Sequence, residues 1–235
     1  MNNDMQKVAE EFDSYNHSYA GTVNNALDFT GMNLDFFTRV KIEYFEDLLH
    51  KELGSDGSLN VLDMGCGVGV YHDLLKSKVH TLHGVDISEK CIETAKKNNP
   101  NVFYTAYNGG TLPYADATFN AVVTICVMHH VPLSERDIFL SEVRRVMKPD
   151  GIFVIFEHNP LNPLTMKVVN NCPFDADAVL LKSKETHILG SKAGFRTLKS
   201  RFILSIPPFN KFLRMVDKIF SLLPFGAQYY TIARK

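Results

Sequence analysis

The chain has 235 residues, a formal charge of −1 and 45% hydrophobic residues, which suits one domain around a single buried α/β core. That charge argues against a partner bound through a nucleic-acid backbone, where basic surface supplies most of the affinity. No secretory leader, membrane span, metal site or disulfide framework is expected. The first residues lack an apolar run, and no stretch reaches the roughly 20 apolar residues of a span. Cys66, Cys91, Cys126 and Cys172 are scattered, so reduced thiols in the cytoplasm are the expectation.

In chain order, Phe12 to Ala20 places Tyr15 and Tyr19 four apart, the spacing of one helical face. Asp35 to Leu53 repeats Phe37, Val40, Tyr44, Phe45, Leu48 and Leu49 at helical intervals and stops at Gly54. Arg39 on that helix is read as an exposed charge or as a partner for a carboxylate. Asn60 to Met64 reads as a strand that runs straight into Gly65, Gly67 and Gly69, with a helix predicted over 70–77. Thr81 to Val85 is a second strand ending at Asp86. Ser88 is placed to cap a helix that runs out near Asn98, and Val102 to Ala106 is a third strand.

Ala121 to Val127 is apolar throughout, as a central parallel strand should be. Ser134 with Asp137 predicts a capping box on a helix whose apolar face is Phe139, Leu140, Val143, Val146 and Met147. Lys148 to Gly151 is a turn, and Ile152 to Phe156 a fifth strand. In the tail, Phe212, Leu213, Val216, Ile219, Phe220 and Leu223 form a helix face expected to enter the core rather than a membrane. Gln228 to Ala233 is the last strand. Short parallel strands joined by helices require right-handed crossovers and hence a doubly wound sheet.

The glycine loop decides between ligands. Glycine lets the backbone approach a ligand closely, and an acid ending the next strand accepts from ribose hydroxyls. A dinucleotide fingerprint reads GxGxxG, whereas this chain reads GCGVG with Asp63 just before it. The run LDMGCGVG resembles the first motif of the class I S-adenosylmethionine-dependent methyltransferases. TLPYADATFNAVV (residues 111–123) and LSEVRRVMKPDGIFVIFE (residues 140–157) are similar to later segments of that family, in order and at matching spacing. The resemblance implies an α/β, Rossmann-like methyltransferase fold: a doubly wound, mostly parallel seven-stranded sheet with helices on both faces and an antiparallel last strand. It also implies one domain over 1–235, with a helical lid over 1–53, a cofactor-binding core over 59–157 and a substrate-side part over 158–235.

The resemblance assigns S-adenosylmethionine, with S-adenosylhomocysteine as product, to Asp63, Gly65, Gly67, Asp86, Ile87, Asn108, Gly109 and Cys126. Asn108 stands where the family often has an acid. The acceptor is expected to be a small molecule methylated on a hydroxyl oxygen, with a loose likeness of the tail pointing to a sugar or lipid-linked glycan. His129, His130 and His158, with Glu157 beside them, lie at strand ends on the acceptor side. They are candidates for a general base, since histidine titrates near neutrality; a site that works by proximity alone stays open. The alternative is a catalytically idle module that binds the same cofactor and acts through a protein partner.

Overall fold

A computed structural model describes residues 3–54 and 58–235. Strands β1 (Asn60–Met64), β2 (Thr81–Asp86), β3 (Phe103–Ala106), β4 (Phe119–Ile125), β5 (Met147–His158), β6 (Arg196–Ile203) and β7 (Gln228–Arg234) form one sheet. Its order is β3-β2-β1-β4-β5-β7-β6. The first five strands are parallel, and β7 runs antiparallel between β5 and β6. This is the doubly wound sheet that the apolar runs predict.

Alternation along the strands divides the core in two. Val61, Ala121, Val123, Ile152 and Val154 point to a face covered by α3 (Leu34–Leu53) and α5 (Glu89–Asn98). Leu62, Val122, Phe153 and Ile155 point to the opposite face, under α6 (Arg136–Val146). Ala121, Val122 and Val123 have no exposed surface, and each buried valine contributes about 1.5–3 kcal/mol relative to exposure. Strands buried on both faces read as continuous apolar runs, which is why β4 is legible.

Several local expectations change. The helix after the glycine loop is a single turn, α4 (His72–Leu75), followed by a 3-10 turn over Lys76–Lys78. Ser88 caps α5 as expected, accepting from the Cys91 N–H at 3.0 Å. Ser134 does not cap α6: the N-cap is Glu135 and no side chain bonds there. β5 begins at Met147, on the expected helix face, and runs through the expected turn at 148–151; its register with β4 shifts between Phe119 and Ala121. Tyr15 ends α1 (Asn3–Tyr15) and Tyr19 starts α2 (Tyr19–Leu27), so they share a neighbourhood but not a helix. The sequence reading names no element between residues 158 and 206, where α7 (Pro163–Asn171), α8 (Ser183–Lys192) and β6 lie.

The tail helix, α9 (Lys211–Phe220), is turned opposite to expectation. Phe212 and Ile219 are 66% and 69% exposed, and Asp217 is fully buried. Its polar face packs inward, with Arg214 on Glu43 and Asp47 and Lys218 on Asp47. Among the described residues no helix is long and apolar enough to cross a membrane, and the four cysteines form no disulfide.

Candidate functional site

In a doubly wound sheet the crevice lies outside the carboxyl ends of the strands, where the order reverses. Here that is between β1 and β4, and a cavity of about 530 Å³ lies against it. Gly65, Gly67, Asp86, Ile87 and Tyr107 line one end, and Cys126, His129, His130, His158 and Asp175 the other. Met5, Phe12, Tyr15 and Tyr19 close it from the N-terminal side, and Phe29, Phe37, Leu164, Val168, Leu204 and Pro207 make an apolar flank.

Two glycines build the first end. Gly65 has φ +81°, and a Cβ there would stand 2.6 Å from the Val127 side chain. Gly67 has φ +51° with open space where its Cβ would be, and its N–H donates to Asp86 Oδ2 at 2.7 Å. The Ser88 N–H donates to Asp86 Oδ1 at 2.9 Å. Burial pushes the Asp86 carboxyl up to about 6, with the Ser88 and Gly67 N–H groups acting against that rise.

Other expected cofactor residues sit elsewhere. Asp63 is fully buried behind the loop, off the cavity wall, where its Oδ2 accepts from His72 Nε2 at 2.8 Å. His72 Nδ1 in turn faces the Tyr104 hydroxyl. Asp63 therefore positions the turn from below. Asn108 is exposed and turns its Oδ1 to the Gly110 N–H at 3.2 Å; neither it nor Gly109 lines the cavity, and Tyr107 does. Cys126 lines the cavity in a left-handed conformation, φ +57°. Burial pushes its thiol up, so it stays protonated and is no nucleophile.

The histidines form one cluster with two carboxylates. Glu157 is fully buried; its Oε1 accepts from the Met128 N–H at 2.9 Å and its Oε2 faces His129 Nδ1 at 2.5 Å. Asp175 Oδ1 lies 3.6 Å from His129 Nε2 and 3.3 Å from His130 Nε2. Burial alone would lower the His129 pKa, but Glu157 and Asp175 outweigh it and hold the ring at about 10. Burial and the neighbouring His129 charge push His130 down, and burial likewise takes His158 down to about 4. Both carboxylates favour a proton on His129, which counts against it as the general base. His158 lines the cavity beside Gln228, its register partner across β5 and β7, with the Gln228 amide 3.5 Å from Nδ1.

Two cavity residues escape the sequence reading. Asp175 ends a 3-10 turn over Pro173–Asp175, far along the chain from the histidines it meets. Lys41, buried on α3, faces the cavity, whereas Arg39 is exposed and paired with Asp35 at 2.8 Å. The helical spacing of α3 marks Lys41 as interrupting the apolar face, which is the signal that was there to use.

Residues 62–155 match the family described as "Methyltransferase domain", the stretch that carries the glycine loop, Asp86 and β4. That stretch is a methyltransferase domain, and its glycine loop and Asp86 are similar to those of the class I S-adenosylmethionine-dependent methyltransferases. A methyltransferase of Synechocystis is 32% identical over 51% of this chain and 57% of its own length. Squalene methyltransferase 1 of Botryococcus braunii is 30% identical over 65% of this chain and 44% of its own. The chain thus spans about half the length of the curated relatives it matches. A solved S-adenosylmethionine-dependent methyltransferase from Archaeoglobus fulgidus shares the fold, with a TM-score of 0.60 at 20% identity over 82% of this chain and 94% of that one. The cavity fits the family's cofactor: Gly67 leaves its Cβ side open, and Asp86 and Asp63 flank the loop with negative charge, which suits a sulfonium and repels a pyrophosphate.

Proposed function

We propose that the methyltransferase methylates a hydroxyl oxygen of an apolar or lipid-linked small molecule. The observation that carries this reading is the apolar flank of the cavity, Phe29, Phe37, Leu164, Val168, Leu204 and Pro207, where Asn162, Thr165 and Ser205 are the polar exceptions. The Botryococcus relative, named for squalene, supports an apolar acceptor, and the formal charge of −1 speaks against a nucleic acid.

S-adenosylmethionine, when bound, supplies an activated methyl carbon on a sulfonium. Gly65 and Gly67 would hold its amino-acid part, Asp86 its ribose hydroxyls and Ile87 its adenine face. The chain's own task is alignment, worth several kcal/mol when the reacting atoms are held in line. With an acceptor hydroxyl held in line with that methyl carbon, His158 would take the hydroxyl proton. Among the cavity histidines His158 has no carboxylate partner among the described residues. Turning the Gln228 amide over would give its unpartnered Oε1 the His158 Nδ1–H and leave the Nε2 lone pair free.

The test is methyl transfer from labelled cofactor to a long-chain prenyl alcohol, a lipid-linked sugar and the free sugar. Transfer to the first or second is expected, with His158→Gln about 10²–10⁴-fold slower at unchanged cofactor affinity. Transfer to the free sugar alone overturns the apolar acceptor. Cofactor binding with no turnover on any acceptor favours the idle module.

A further inference from the structure

We propose that His129 Nε2, His130 Nε2 and Asp175 Oδ1 bind a divalent transition-metal ion of the zinc type, with Glu157 fixing His129 from behind. Four observations converge on this site.

All three donor atoms lie within 4.8 Å of one another. They do not satisfy one another: 3.3 Å and 3.6 Å exceed the roughly 2.7–2.9 Å of a charge-assisted hydrogen bond. Ligands about 2.0–2.1 Å from a zinc ion stand about 3.3–3.5 Å apart at tetrahedral angles; the 3.3 Å separation matches an edge of such a shell and the 3.6 Å one is slightly longer. The second observation is an orphan. His129 is 2% exposed, and its Nε2 is buried with no hydrogen-bond partner, a costly state for a polar atom.

The third is the group behind the ring. Glu157 takes the Nδ1 side of His129, which fixes the tautomer and aims Nε2 forward, the carboxylate–histidine arrangement that supports metal ligands. The Met128 N–H anchors the other Glu157 oxygen at 2.9 Å. The fourth is access. All three ligands line the cavity, so a three-ligand site keeps an open position facing the acceptor, as catalytic rather than structural sites do. Adjacent histidines and a distant aspartate have no spacing signature, so the sequence gives no sign of the site.

The inference does not rest on the methyl-transfer reading, because it is tested without cofactor or acceptor. Chelator-stripped protein is titrated with zinc sulfate by calorimetry, and bound metal is counted by elemental analysis. One zinc per chain is expected, with binding weakened about 10–100-fold in Glu157→Gln and at least as much in Asp175→Asn. Cobalt in place of zinc should give the visible absorption of a four- or five-coordinate site. Less than one zinc per wild-type chain overturns the proposal, and so does equal affinity in wild type and Asp175→Asn. If Asp175→Asn does not fold, judged by S-adenosylhomocysteine binding, wild-type stoichiometry and Glu157→Gln decide.

Discussion

Asp86 accepts one backbone N–H on each oxygen, from Gly67 and Ser88, and each oxygen keeps a further lone pair for the ribose. Because burial lifts its pKa to about 6, the ionised acceptor is present at neutral pH and is lost on acidification. S-adenosylhomocysteine affinity should be flat above about pH 7 and fall about tenfold per pH unit below 6. Asp86→Asn should weaken binding by about 10–100-fold and flatten that pH dependence. Calorimetry at several pH values checks both; a slope that survives in Asp86→Asn belongs to another group. The stability sign runs the other way. With its folded pKa above the unfolded one, Asp86 favours the native state as pH falls from about 6 to about 4, so weaker binding there is not unfolding caused by this residue. Gly65, Gly67 and Asp86 are legible in the sequence because a backbone turn and a strand end fix them. Asp175 and Lys41 are not, because tertiary packing brings them in from an irregular turn and from a helix already assigned to the core.

At the scale of an element, α9 shows why an apolar stripe does not say which way it faces. Periodicity fixes a stripe's existence, and the partner on the other side fixes its direction. Here the polar side wins through Asp217, which accepts from the Leu204, Ser205 and Ile206 N–H groups at 3.0, 2.8 and 3.2 Å and from the Tyr44 hydroxyl at 2.8 Å. Asp217→Ala leaves those buried donors without a partner and should cost about 3–5 kcal/mol. Phe212→Ser and Ile219→Ser, on the exposed side, should stay within about 0.5 kcal/mol of wild type. Urea unfolding ranks the three variants, and a loss of several kcal/mol in Phe212→Ser would restore the core orientation that the sequence suggests. The strands had no such ambiguity: β4 is apolar on both faces, so its burial does not depend on its rotation. α4 is short because the glycine loop takes residues that a longer helix would need, and α6 starts one residue later than expected, with Glu135 at the N-cap position and no side-chain cap bond.

For the whole molecule, the question is how anything enters a cavity roofed by the first two helices. α1 buries only Met5 and Ala9. It is tied down at its far end, where the Ser88 hydroxyl donates to Asp13 at 2.6 Å and Cys91 Sγ meets the Phe12 carbonyl at 3.6 Å. Phe12 stands edge-on to His130 at 5.0 Å, and Tyr15 and Tyr19 pack on Phe174 at 5.4 and 5.3 Å. The roof therefore touches both the Asp86–Ser88 corner and the histidine end, while the sheet beneath is buried on both faces. Segments with few buried apolar contacts open at lower free energy than the core, and a ligand that binds the closed form makes opening rarer. S-adenosylhomocysteine should accordingly slow amide exchange over residues 3–27 and leave β1, β4 and β5 unchanged. Asp13→Ala removes a bond to a charged group, worth about 1.5–3 kcal/mol when buried. Since Asp13 is half exposed, the lower end of that range applies. Ligand release should then be about tenfold faster, with global stability lowered by no more than about 1.5 kcal/mol. Exchange over residues 3–27 that ignores the ligand would make the roof a fixed wall, and the acceptor's entry would have to be sought at the Leu164 and Pro207 side of the cavity instead.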